Sequence, residues 1–105
     1  MAEVTWTDQA VEDVESIRAF IARDSPRYAS LVAEHLVAAV ERLGSFPRSG
    51  RIVPEFKDDR LREVIWGSYR IVYRLLDDTI EVLTVYHGAR LLAADPRGGS
   101  PGGAV

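Results

Sequence analysis

Residues 61–90, LREVIWGSYRIVYRLLDDTIEVLTVYHGAR, decide how this chain folds. Leu61–Trp66 and Tyr69–Leu76 are runs rich in β-branched and aromatic residues, separated only by Gly67-Ser68. Two residues with glycine first make a tight turn, so these runs are read as an antiparallel hairpin. Asp77-Asp78-Thr79 makes the next turn and Ile80–His87 a third strand, which completes a three-stranded meander. Side chains alternate along a strand, so Tyr69, Ile71, Tyr73 and Leu75 share one face and Arg70, Val72, Arg74 and Leu76 the other. A strict two-residue turn sets Glu63 beside Val72 and Arg62 beside Tyr73. Arg62 is then separated from Arg70 and Arg74 unless a bulge or a different turn brings it round.

Upstream, Phe46-Pro47-Arg48-Ser49-Gly50 is turn chemistry and marks the seam where helical periodicity gives way to alternation. Before it, Val32, Leu36, Ala39, Val40 and Leu43, with Ala29 and Ala33, form the apolar face of a helix. Ser25 is placed to cap it, Pro26 to fill its first position and Gly44 to follow its end. An earlier helix carries Val11, Val14, Ile17 and Ile21, flanked by Ala10 and Phe20, as its expected stripe, with Thr7 as cap. Glu3–Trp6 alternates as a short strand. Arg51–Phe56 is a short extended piece whose Pro54 argues against a central position in a sheet. Strand, helix, helix and meander predict an α+β domain over 1–94, with a helical hairpin on one face of a mostly antiparallel sheet. Residues 95–105, rich in glycine and proline, are expected to be a flexible tail.

At 105 residues, with 47% hydrophobic and 28% charged, the chain matches a soluble domain with one core. No apolar run approaches the roughly 18 residues of a membrane span. Nothing in Met1-Ala2-Glu3 suggests an export signal, so a cytoplasmic location is expected. Without cysteine there is neither a disulfide framework nor a thiolate zinc site, and His35 and His87 are too far separated to suggest a metal site. No cofactor is expected. Residues 1–50 hold five Lys+Arg against eight Asp+Glu, and residues 51–105 hold eight of each. The sequence pI near 5.3 argues against the broad positive field of a nonspecific nucleic-acid binder.

The helical hairpin, Pro47-Arg48-Ser49-Gly50-Arg51, Leu61-Arg62-Glu63, Tyr69-Arg70-Ile71-Val72-Tyr73-Arg74 and Val85-Tyr86-His87-Gly88-Ala89-Arg90 occur in an order that resembles the RelE/ParE superfamily of bacterial toxins. The resemblance spans about residues 3–92. It implies a compact α+β toxin that a cognate antitoxin wraps and silences. Members like RelE cleave messenger RNA on the ribosome, whereas members like ParE act on DNA gyrase without the nuclease residues. The ending Tyr86-His87-Gly88-Ala89-Arg90 looks more like ParE, and growth inhibition with plasmid stabilisation is the implied biology.

Two functional classes remain open at this point. A nuclease needs a base, an acid and cations for charge growing on the phosphate. Arg62, Arg70 and Arg74 suit the cationic role, His87 the acid or base, and Glu55 or Glu63 are weaker bases. A protein-binding toxin would instead use Arg51, Arg62, Arg70, Arg74 and Arg90 to receive its antitoxin or target. The plain alternatives are a solvated strand face, Arg70 or Arg74 paired with Glu63, and a structural His87. Trp6, Trp66 and Tyr73 are most simply core or edge-covering aromatics.

Overall fold

Thr7 and Ser25 start the two helices. The Ala10 amide donates to Thr7 Oγ1 at 3.1 Å at the head of α1 (Asp8–Ala22), and the Tyr28 amide donates to Ser25 Oγ at 3.2 Å at the head of α2 (Pro26–Arg42). Each hydroxyl satisfies one amide that a helix start leaves without an internal partner. The computed structural model describes residues 1–88 and 96–97.

On α2 the buried stripe is Ala29, Val32, Leu36 and Val40, as the spacing requires. On α1 it is narrower than expected. Ala10 and Val14 are buried and Ile17 and Ile21 half-buried, but Val11 and Phe20 are exposed. Each lies one residue from the stripe, and a single step turns the helix by about 100°, enough to carry the side chain off the packed face.

β1 (Glu3–Trp6), β2 (Arg51–Ile52), β3 (Leu61–Trp66), β4 (Tyr69–Leu75) and β5 (Thr79–His87) form one sheet in the order β1-β5-β4-β3-β2. The meander is antiparallel and β1 runs parallel to β5. The hairpin register is the strict one: Glu63 opposes Val72, Arg62 opposes Tyr73, and Gly67 adopts φ +58° in the turn. That left-handed conformation is the reason glycine is required there.

One irregularity was not predicted. Val72 opposes Thr84 while Tyr73 opposes Val82, leaving Leu83 as an extra residue in β5. Two residues at the start of α1 brace this bulge. The Thr7 amide donates to the Val82 carbonyl at 3.0 Å, and the Thr7 hydroxyl lies 2.9 and 3.0 Å from the Val82 and Leu83 carbonyls. The Asp13 carboxylate accepts from the Thr84 hydroxyl and, at 3.0 Å, from the Val85 amide.

The main core lies between helices and sheet, with Val14, Leu36, Val40, Ile71, Val82 and Val85 in one cluster and Leu43, Tyr73, Leu75 and Ile80 beside it. A second, smaller core occupies the opposite face, where Val53, Leu61, Val72 and Leu83 pack with Phe56 and Tyr86. The face away from the helices is therefore not left uncovered. Residues 53–60 roof it, because Leu61, Val72 and Leu83 present apolar surface there that favours a cover.

Candidate functional site

Arg70 projects from β4 to the face opposite the helices, as its place in the alternation dictates, and lies beneath the roof formed by residues 53–60. Its Nε donates to Glu63 Oε1 at 2.6 Å, while Nη1 and Nη2 form a fork with the two oxygens of Glu55, each 2.9 Å away. Side-chain exposure is 6% for Arg70, 0% for Glu63 and 20% for Glu55. The guanidinium carbon also sits 5.2 Å from the centre of the Tyr86 ring. Arg51, mostly exposed on β2, donates to the other oxygen of Glu63. Two cations and two carboxylates thus form a formally neutral cluster.

The proton affinities follow from this geometry. The hydrogen bond to Glu55 raises the Arg70 pKa most, burial opposes it, and Glu63 adds to the rise. Burial pushes the Tyr86 phenol up to about 12, partly offset by the Arg70 charge. Its hydroxyl oxygen is buried with no hydrogen-bond partner among the described residues. Arg70 is consequently a permanent cation whose Nε, Nη1 and Nη2 all face carboxylates.

The other arginines are placed separately. Arg74 pairs with Glu81 through Nε at 3.1 Å and through Nη2. Arg62, on the same side of the hairpin as Tyr73, donates to the Asp59 carbonyl at 2.8 Å and the Gly50 carbonyl at 3.1 Å. As the strict turn requires, it does not join Arg70, while Arg74 shares the face of Arg70 but is held by Glu81. His87 is exposed and meets Tyr69 edge-on at 5.8 Å. A shallow groove at the Gly67-Ser68 turn does bring Arg51, Arg70 and His87 to one place. Arg90 lies outside the described residues. Among the described residues no cluster of His, Asp or Glu could hold a metal ion.

Sequence reasoning missed two features. The bidentate partnership of Glu55 with Arg70 joins a loop to a strand 15 residues away, and no local spacing announces it. The second is an apolar groove of about 480 Å³ between the end of α2 and the edge of β3, lined by Ala39, Arg42, Phe46, Val64, Ile65 and Trp66. Phe46 is 61% exposed there and Trp66 stacks on His35 at 5.0 Å, whereas Ile65, paired opposite Arg70, borders the groove at the strand edge with its side chain on the other face of the sheet. Exposed apolar residues beside a turn-rich segment were the available signal.

Residues 4–92 match the family described as the ParE toxin of the type II toxin-antitoxin system parDE. The chain belongs to the ParE toxin family. It is 35% identical over 92 residues to toxin RelE2 of Caulobacter vibrioides, covering 87% of this chain and all of that protein. Its fold is shared with a chain of the chromosomal ParDE system of P. aeruginosa, at a TM-score of 0.68 and 19% identity over 83% of this chain and 96% of that one. A chain of the RelBE2 toxin-antitoxin complex of Mycobacterium tuberculosis aligns at 0.54, with 24% identity over 82% and 96%. This ParE-family member is therefore a type II toxin with the α+β fold expected from its sequence, and the names of its relatives span both ParE and RelE. No helix among the described residues is long and apolar enough to cross a membrane.

Proposed function

We propose that this toxin acts as a ParE-like, protein-directed inhibitor of DNA gyrase and is neutralised by a cognate antitoxin. The observation that carries the reading is the double clamp on Arg70 by Glu55 and Glu63. A cation that stabilises a pentavalent phosphate must turn its donors toward the developing charge. Arg70 has its donors turned toward two carboxylates, and recruiting them for RNA would strip the buried Glu63 of the buried one of its two arginine partners. The chain's acidic pI and single lysine, Lys57, favour a protein target over a nucleic-acid one.

The antitoxin reading rests on the groove beside β3. Its apolar floor is flanked by exposed Arg42, and Arg48 lies exposed on the adjoining segment, so it suits an amphipathic segment carrying acidic residues. Among the described residues β3 is paired on this side only at Arg62 and Glu63, by β2, so its edge at Ile65 offers backbone groups for pairing.

The deciding experiment places purified toxin in parallel with gyrase and with translating ribosomes. Inhibition of supercoiling with intact messenger is expected. Codon-specific cuts in ribosome-bound messenger that disappear in His87→Ala would replace this reading with the RelE-like endoribonuclease.

A further inference from the structure

Residues 53–60, which roof the outer face, have a feature that packing alone does not explain. Val53 is fully buried, and its carbonyl receives the amides of Phe56 at 3.2 Å and Lys57 at 3.1 Å. Lys57 takes φ +52°, the left-handed region that an L side chain enters at a cost of about 1 kcal/mol or more. The next residue, Asp58, receives the Arg60 amide on one oxygen at 2.9 Å. Its other oxygen pairs with Arg97, whose guanidinium carbon also lies 5.6 Å from the centre of the Phe56 ring. The family match ends at residue 92, so Arg97 lies beyond it.

We propose that Arg97 is an intramolecular latch, added beyond the span of the family match, that holds the strained 53–60 loop against the sheet. By holding the loop it holds Glu55 on Arg70. One side chain grips the loop at two adjoining points, an acid at residue 58 and an aromatic face at residue 56. Phe56 is itself part of the outer core, and Glu55 is its neighbour in sequence. The contact is only partly sheltered, with side-chain exposures of 28% for Arg97 and 34% for Asp58. An exposed ion pair and a cation–π contact of this kind are individually weak. A weak latch fits a switch, because a partner that binds Arg97 or the underside of the loop can open it. The chain beyond the family match thereby governs how often the Arg70 cluster and the Phe56 surface are reachable, whichever target the toxin has.

The test is amide hydrogen exchange on the full chain, comparing wild type with Arg97→Ala, Asp58→Asn and the double variant. Asp58→Asn keeps an oxygen for the Arg60 amide and removes the charge. Exchange in residues 55–60 is expected to rise about two- to tenfold in each single variant, the range a contact of this strength supports. The double variant should exceed neither single, and strand β4 should be unaffected. In about 1 M salt the wild-type loop should move toward the variants, because exposed charges are then screened. Unchanged exchange in Arg97→Ala, or additive effects in the double variant, would overturn the latch. None of these readouts uses gyrase or messenger, so their failure is distinct from failure of the gyrase reading.

Discussion

Glu63 and Arg70 form an ion pair that is almost closed to water, diagonally across the β3–β4 hairpin, with side-chain exposures of 0% and 6%. Removing one member of such a pair strands the other charge in a dry site, whereas replacing both with apolar groups removes the desolvation penalty as well. Here Arg70 keeps its fork on Glu55 and loses only the Glu63 contact, so Glu63→Ala is expected to destabilise the protein by about 1.5–3 kcal/mol. Glu63→Leu with Arg70→Met should recover most of that loss, since the sites couple directly. Urea denaturation of wild type, Glu63→Leu, Arg70→Met and the double variant measures the coupling. Additive losses would show that the pair contributes nothing as a pair.

Tyr73 pins the seam between the helices and the sheet. Its hydroxyl donates to the Pro47 carbonyl at 2.7 Å and accepts from the Gly50 amide at 3.0 Å, and the residue is wholly buried. Tyr73→Phe leaves both groups without this partner and should cost about 1–3 kcal/mol. Faster exchange of the Gly50 amide is the local signature. Gly50→Ala tests the same seam sterically, because a Cβ there would lie 2.6 Å from the Glu63 carbonyl oxygen and 2.7 Å from the Tyr73 hydroxyl. An overpacking loss of about 1–3 kcal/mol is expected.

The contrast between what was legible and what was not follows the range of the interactions. As caps and turn residues, Thr7, Ser25, Pro26 and Gly67 act through neighbours within a few residues, so those roles are written in local spacing. The Glu63–Val72 register followed from a two-residue turn. The roof over Arg70 was not legible, because it depends on a non-periodic loop and on Glu55 and Phe56 reaching across to β4 and β5. The bulge at Leu83 escaped for a similar reason: the groups that stabilise it, Thr7 and Asp13, lie about 70 residues earlier. Alternation gave Arg70 its face correctly but carried no information about what would cover that face.

Tyr86 gives the protein an alkaline limit. Its phenol is held up to about 12, chiefly by burial, against about 10 in an unfolded chain. The folded form therefore keeps a proton that the unfolded form has released. The contribution is complete below about pH 10 and is lost as pH rises toward about 12. Tyr86→Phe should flatten this part of the stability profile. At pH 7 it should be neutral or stabilising by up to about 2 kcal/mol, since it removes a buried hydroxyl with no partner among the described residues. Denaturation midpoints between pH 8 and 11.5 measure both effects, and a clear loss at pH 7 would mean that the hydroxyl has a stabilising partner.

The β3 groove separates binding from stability. Phe46 is 61% exposed, so changing it to aspartate should alter stability by no more than about 0.5 kcal/mol. If an acidic amphipathic segment of the antitoxin lies here, an introduced carboxylate both removes an apolar anchor and repels its charges. Phe46→Asp should then weaken antitoxin binding at least about tenfold, because anchors in apolar pockets commonly carry more than 1.4 kcal/mol. Arg42→Glu should act in the same direction, with an effect that shrinks at high salt. Calorimetric titration of folded variants with the antitoxin checks the magnitudes. Wild-type affinity in both Phe46→Asp and Arg42→Glu would move the docking surface away from β3, leaving the outer edge of β1 as the next sheet edge to test.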